Sequence, residues 1–231
     1  MSTGSRNVEK KPAVGTAEPY KHPLDLSIVE KLKLNQHGYE ACCVAHALAT
    51  GYRHVAHVMI WAPTDTMIMR RYKQKAVIMA VLRYDGYLGF PGGTLDPGET
   101  PAQAVNREMR EEVNVDTSRF SVSEPDHLIS FANAAKQFVC HFYSLRLTLD
   151  ELLAIEKAAI GSLEHGHETL GILRVPLYTM AESSRGLPVF LAHKFAGAAR
   201  EQLLYGAVRL GVLDADAVLD ALKAAQHVGY T

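Results

Sequence analysis

Cysteine is scarce in this chain of 231 residues: there are three, Cys42, Cys43 and Cys140, and two of them are neighbours. Adjacent cysteines cannot staple a small fold and lack the spacing of a zinc site. A disulfide framework and a cysteine-based metal centre are therefore excluded, and reduced thiols in an intracellular protein are expected. No uninterrupted apolar run of about 18 residues occurs, which excludes a membrane-spanning helix. The N-terminal stretch also lacks an apolar secretory core. Charge of one sign is missing too: 24 Lys and Arg oppose 25 Asp and Glu, for a net charge of −1. Nothing global draws this chain to nucleic acid or to a membrane, so an RNA contact would need a local basic patch. No internal repeat is visible. What remains is an ordinary globular composition, 48% hydrophobic, enough for one good core with an additional arm.

Along the chain, residues 1–23 combine scattered Pro and Gly with mixed charge and little apolar periodicity, and a disordered tail is expected there. Leu26, Val29, Leu32 and Leu34 fit a short helix, and Ala41–Leu48 is a stretch of open type. Strand patterns begin at His54–Trp61 and continue at Ala76–Leu82, Ile129–Val139, His141–Leu147 and Leu170–Leu177. Leu149–Ala159 reads as a helix capped by Thr148. Two more helices are expected near the end, His193–Leu210 stopped by Gly211, and Ala215–Gln226. The expected class is α/β, a mixed sheet flanked by helices. Residues 1–45 form an N-terminal extension and 46–231 one domain.

The chemically informative stretch is Gly92–Val115. Gly92-Gly93 makes a tight turn after the apolar Tyr87–Phe90, and Asp96-Pro97-Gly98 makes another. Thr100 is placed as a helix N-cap, Pro101 at the first helical position and Gln103 three residues after the cap. On that helix Ala102, Val105, Met109 and Val113 form an apolar stripe suited to a sheet. Glu108, Glu111 and Glu112 share the adjoining face at i, i+3 and i+4. Arg107 can pair with Glu111, but one arginine cannot balance three carboxylates. Clustered hard oxygen donors suit Mg²⁺ or Mn²⁺. The plainer alternative is a solvated acidic face.

The run from Gly93 through Glu99 to Arg107-Glu108-Met109-Arg110-Glu111-Glu112 resembles the Nudix box, the signature of enzymes that hydrolyse a nucleoside diphosphate linked to another group. Eight of its nine fixed positions are filled, and the ninth, glycine in the pattern, is Asn114. Asparagine is the non-glycine residue best suited to a left-handed helix end, so the chemistry is untouched. The resemblance implies an α/β/α sandwich. Further segments, among them Arg83-Tyr84-Asp85-Gly86, His141-Phe142-Tyr143, Arg174-Val175-Pro176-Leu177 and Ala199-Arg200-Glu201-Gln202, are similar to the snoRNA-decapping Nudix enzymes, which also act as inosine diphosphatases. That similarity covers about residues 50–212.

Carried over to this chain, the resemblance implies two or three Mg²⁺ or Mn²⁺ ions held by Glu108, Glu111, Glu112, Glu168 and the carbonyl of Gly92. It implies a proton acceptor that is Glu111 or Glu112, with Glu168 next. His57, Arg83, Phe90 and Gln202 match nucleotide-contacting positions. Read without it, His57 and Phe90 fit a core, Arg83 a strand surface, Gln202 an exposed helix face and Glu168 a turn. One departure concerns Phe131, placed in the loop before the Phe138 strand where relatives offer a histidine. It leaves base preference between inosine, guanine and a cap open.

The expected reaction is metal-dependent hydrolysis of nucleoside diphosphates of the IDP kind and of capped RNA ends. Alternatives are a Nudix pyrophosphatase for NAD-like or ADP-ribose substrates, and an inactive scaffold that binds RNA or protein. Retention of Glu99, Arg107, Glu108, Glu111 and Glu112 argues against the scaffold. The resemblance further implies a homodimer and a nuclear or nucleolar place, with the cytoplasm open. Lys10-Lys11 is too short for a basic targeting run. Leu203, Leu204, Val208 and Leu210 suit either a dimer interface or the core.

Overall fold

The computed structural model describes residues 24–180 and 184–228. The expected disordered tail, residues 1–23, lies outside them. The centre is a mixed sheet with helices on both faces, the α/β class expected. In chain order its strands are β1 (Glu40–Cys42), β2 (Arg53–Pro63), β5 (Ala76–Arg83), β6 (Leu88–Gly89), β7 (Gly92–Thr94), β8 (His127–Asn133), β9 (Phe138–Arg146) and β10 (Thr169–Arg174). The main path runs β1-β8-β9-β2-β5-β10; β6 joins β5 and β7 joins β2. A separate hairpin pairs β3 (Met67–Ile68) with β4 (Tyr72–Lys73). Neighbours run antiparallel except β2 and β9, which are parallel over Arg53–Trp61.

The helices are α1 (Leu26–Leu32), α2 (Val44–Leu48), α3 (Pro101–Val113), α4 (Leu149–Ala158), α5 (Leu187–Leu191), α6 (Ala199–Arg209) and α7 (Ala215–Ala225). Alternation along the strands sends side chains to opposite faces. One face, carrying Val58, Ile60 and Tyr143, packs on α3 and α4. The other, carrying Met59, Phe142 and Ile129, packs on α1, α5, α6 and α7. Residues 24–45 belong to this second core: Val29, Leu32, Leu34 and Tyr39 are buried in it, and β1 pairs with β8 at the sheet edge. Leu203 and Leu204 are buried, with Val208 and Leu210 packed beside them, so these side chains are core. Among the described residues no helix is long and apolar enough to cross a membrane.

α3 forms as its local signals dictate. Thr100 Oγ1 accepts from the Gln103 N–H at 3.3 Å and Gln103 Oε1 accepts from the Thr100 N–H at 2.8 Å, a reciprocal cap worth about 1 kcal/mol. Val105, Met109 and Val113 are fully buried on the sheet, each contributing roughly 1.5–3 kcal/mol of apolar burial. Asn114 ends the helix in the left-handed region at φ 55°, and its amide donates to the Ala158 carbonyl.

Two expected elements are corrected. Ile129–Val139 is no single strand: the chain reverses after Asn133, whose Oδ1 accepts from the Lys136 N–H at 3.0 Å, and Gln137 takes φ 50°. The turn holds no Gly or Pro, so the apolar pattern runs through it unbroken. Residues 193–198 are not helical either. The Leu88 N–H donates to the Lys194 carbonyl and the Ala196 N–H to the Leu88 carbonyl, both at 2.9 Å. Backbone groups used along β6 cannot also close a helix, so α6 starts at Ala199. α5 was not expected; it follows Gly186, where a Cβ would lie 2.2 Å from the Tyr178 carbonyl.

Candidate active site

β2 has two successive partners on one side. Val55–His57 pairs with β7, and Trp61–Pro63 pairs with β5. The divergence opens a cleft of about 1260 Å³ lined by His57, Arg83, Gly92, Gly93, Glu108, Glu168 and Gln202, with Arg53, Tyr84 and Leu163 at its margin. Residues far apart in sequence thus meet where two strands part.

β7 brings backbone to carboxylate. Gly92 takes φ 142°, and a Cβ there would lie 2.1 Å from the Ala56 carbonyl, so only glycine fits. Its N–H donates to Glu112 Oε2 at 2.8 Å. A Cβ on Gly93 would lie 2.3 Å from Glu108 Oε1. Arg107 organises the outer side: Nε and Nη2 donate to the two Glu99 oxygens at 3.0 and 3.1 Å, Nη1 to Glu108 at 2.8 Å and to Glu111 at 3.2 Å. The expected Arg107–Glu111 pair exists, but the firmest anchor is Glu99, held on its turn by the Asp96 N–H.

Burial drives the electrostatics. Glu112 is pushed up to about 8 by loss of solvent, with Glu108 and Glu168 adding repulsion against the Gly92 hydrogen bond. Glu108 is raised for the same first reason, with Glu111 and Glu168 adding and Arg107 opposing. Carboxylates that raise one another in a buried place lack positive charge. Among the described residues no three acidic, His or Cys side chains converge tightly enough to close a metal site alone. The donor set nevertheless fits a hard divalent cation in kind and charge, with backbone or phosphate oxygens completing its shell.

His57 lies opposite Gly92 on β2. Its Nδ1 is sealed from solvent without a hydrogen-bond partner, and burial, with Arg83 nearby, brings the ring down to about 4. It is therefore neutral near pH 7 with one nitrogen unsatisfied. Arg83 reaches the cleft from the end of β5, steered by Asp85 at 3.0 Å. Gln202 is buried and donates weakly, at 3.4 Å, to the carbonyls of Cys140 and His141. It is not on the exposed face that its helix position alone suggested.

Two expected placements fail. Phe90 is 3% exposed and tilts on Phe142 at 5.0 Å between centroids in the core, so it offers no face to the cleft. Phe131 lies on β8, fully buried, opposite Cys140 and Ala41, not in a loop facing substrate. The alternation of β8 turns that side chain into the α6 core. The rings that do border the cleft are Phe138, half-buried under Arg53, and Tyr84, 61% exposed, with the Arg83 guanidinium 5.4 Å from its centroid. The signal of Tyr84 in the sequence was an aromatic following a strand-end arginine. Glu168 arrives from the loop after α4, where its carbonyl accepts from the Tyr84 N–H.

The family model described as Nudt16-like, U8 snoRNA-decapping enzyme-like, matches residues 54–213. The U8 snoRNA-decapping enzyme of Mus musculus is 40% identical over 180 residues, covering 77% of this chain and 92% of its own length. That of Xenopus laevis is 33% identical over 223 residues, covering 96% and 98%. The Tudor-interacting repair regulator protein of Homo sapiens is 33% identical over 183 residues, covering 78% and 85%. With the box on α3, the cleft beside it, and the family model and the two decapping-enzyme relatives in agreement, the chain belongs to the Nudt16-like family, Nudix pyrophosphohydrolases of the snoRNA-decapping subgroup.

Proposed function

We propose that the cleft hydrolyses the phosphoanhydride of nucleoside diphosphates of the IDP kind and of capped RNA ends, with Mg²⁺ or Mn²⁺. The observation that carries this reading is the buried Glu108–Glu112 pair, held against the β7 glycines beside Arg83 and His57. Glu108, Glu111, Glu112 and the Gly92 carbonyl would hold two or three ions. When bound, such ions neutralise phosphate oxygens and acidify a coordinated water. Arg83 clamps phosphate. Neutral His57 lines the cleft opposite Gly92 without adding charge to it. Gln202 shapes the inner wall, and Tyr84 supplies the stacking face that Phe90 does not.

Of the three candidate proton acceptors, Glu111 is engaged by Arg107 and Glu112 by the Gly92 N–H. Glu168 has no side-chain hydrogen bond or ion pair among the described residues and stands close enough to raise both Glu108 and Glu112. We assign it the proton transfer. A homodimer is part of the proposal; Leu203 and Leu204 are engaged in the core, so its contact would use other surfaces.

The test is product release from IDP, GDP, ADP-ribose, NAD and cap-labelled RNA with each ion, against Glu112→Gln. Release from IDP and capped RNA, abolished in the variant, supports the reading. Release only from ADP-ribose or NAD moves the substrate, and no release at all leaves a binding scaffold.

A further inference from the structure

A second cavity, about 690 Å³, lies on the far side of the segment that walls the catalytic cleft. Gly197 borders both spaces, and on α6 Arg200 borders the cavity while Gln202, two residues on, borders the cleft. The cavity is framed by the end of α1, the 191–197 segment, α6 and α7. Its floor is apolar, including Leu191, Leu204 and Leu222.

Its charge is one-sided in a chain whose overall balance is near zero. Lys33, Lys194, Arg200 and Lys223 line it, against a single acid, Glu201, which Arg200 already holds at 3.2 Å. Lys33 and Lys194 are exposed and have no ion pair among the described residues; Lys223 has only a solvent-exposed contact with Asp220. Cations around an apolar floor match a polymer that alternates phosphates with flat bases. This is the local basic patch that the near-neutral composition left as the one route to RNA.

We propose that this cavity holds the single-stranded RNA body downstream of the cap while the cap occupies the catalytic cleft. The inference rests on the decapping reading for its biological setting, but its binding step does not depend on turnover. The partition is physical: the small end group is read in the cleft, and the chain attached to it crosses the 196–198 segment to the cationic rim. Lys33, Lys194 and Lys223 act on RNA substrates only, since they line the cavity and none of them lines the catalytic cleft.

The test compares the wild-type protein with a Lys33→Gln/Lys194→Gln/Lys223→Gln variant, all exposed positions. Binding of a short uncapped single-stranded RNA is followed by fluorescence anisotropy across a salt series, and hydrolysis of IDP and of capped RNA is measured in parallel. The expected result is RNA binding weakened about tenfold or more and a salt slope reduced by about 2, as three phosphate contacts are lost. The KM for capped RNA rises while kinetics on IDP are unchanged. RNA binding equal in both proteins overturns the proposal. So does preference for polyglutamate over RNA, which would make the cavity a site for an acidic polypeptide. A changed sedimentation coefficient in the variant would make it an interface between copies, and overturns it as well. Wild-type protein that binds RNA through this rim yet releases nothing from capped RNA would sink the decapping reading and leave the RNA site standing. Decapping that ignores the triple substitution would do the reverse.

Discussion

Gly93 and Glu108 occupy one another's space: the carboxylate sits where a side chain on residue 93 would begin, with Oε1 2.3 Å from that position. The obstacle is the end of a flexible side chain, so Gly93→Ala should fold. It should displace Glu108 and lower kcat about 10²–10³-fold, the loss typical of one misplaced charge-stabilising group, with a melting temperature close to wild type. Circular dichroism and steady-state kinetics check this; an active Gly93→Ala would remove Glu108 from the machinery. Gly92→Ala meets backbone instead and should lower stability itself.

Glu112→Gln should separate activity from stability. The buried carboxyl sits at about 8, above the ordinary 4.5, so the fold binds its proton more tightly than the unfolded chain does. That contribution is present at low pH and lost as pH rises from 4.5 through about 8. Without metal, Glu112→Gln should therefore melt higher than wild type near pH 8 and similarly near pH 5, while losing about 10²–10³-fold in rate. Mn²⁺ should raise the wild-type melting temperature and leave the variant's unchanged. Equal responses of the two proteins to Mn²⁺ would contradict the role of Glu112 as ligand.

A histidine chain crosses three strands: His54 Nδ1 meets His141 Nε2 at 3.0 Å, His141 Nδ1 meets Ser130 Oγ at 2.8 Å, and His127 Nε2 meets the same oxygen at 2.9 Å. Burial brings His141 down to about 3 and His127 to about 4, from 6.5. The unfolded chain binds more protons in that window, so stability is complete above about 6.5 and falls as pH drops toward 3. Denaturant titrations of wild type and His141→Gln should show a shallower decline in the variant between those limits. A parallel decline would place the acid sensitivity elsewhere.

Tyr84→Ala and Phe90→Ala should fail differently. Tyr84 is exposed at the cleft margin, so its loss should raise the KM for nucleotide by about one order of magnitude, the worth of a stacked base, with unchanged stability. Phe90 fills the core against Phe142, and its truncation should cost about 3–5 kcal/mol of stability. Chemical unfolding and kinetics on the two variants decide which of residues 84 and 90 acts on the nucleotide and which on the fold.

Much of the fold was legible where local signals were complete. The cap of α3, its buried stripe and its end at Asn114 all follow from neighbours within a few residues, as does the Thr148 cap of α4. The hairpin after Asn133 was misplaced because its turn carries neither Gly nor Pro. The helix expected from His193 was too long because the Lys194 carbonyl and the Ala196 N–H bond to Leu88 on β6, a partner more than a hundred residues away. The short α5 and the pairing of β1 with β8 left no periodic signal at all.

In the site the same division appears. By itself the sequence determined that Glu108, Glu111 and Glu112 share a helix face, that two glycines precede them, and that Glu99 and Arg107 flank them, since helical spacing and turn chemistry are local. Only the tertiary structure decided which carboxylates are buried, that Arg107 ties to Glu99 first, that Phe90 and Phe131 belong to the core, and that Glu168, His57 and Gln202 meet on one cleft. Burial, and with it charge state, depends on what the rest of the chain packs against a residue, and the parting of β2 from β5 that creates the cleft is a property of the sheet as a whole.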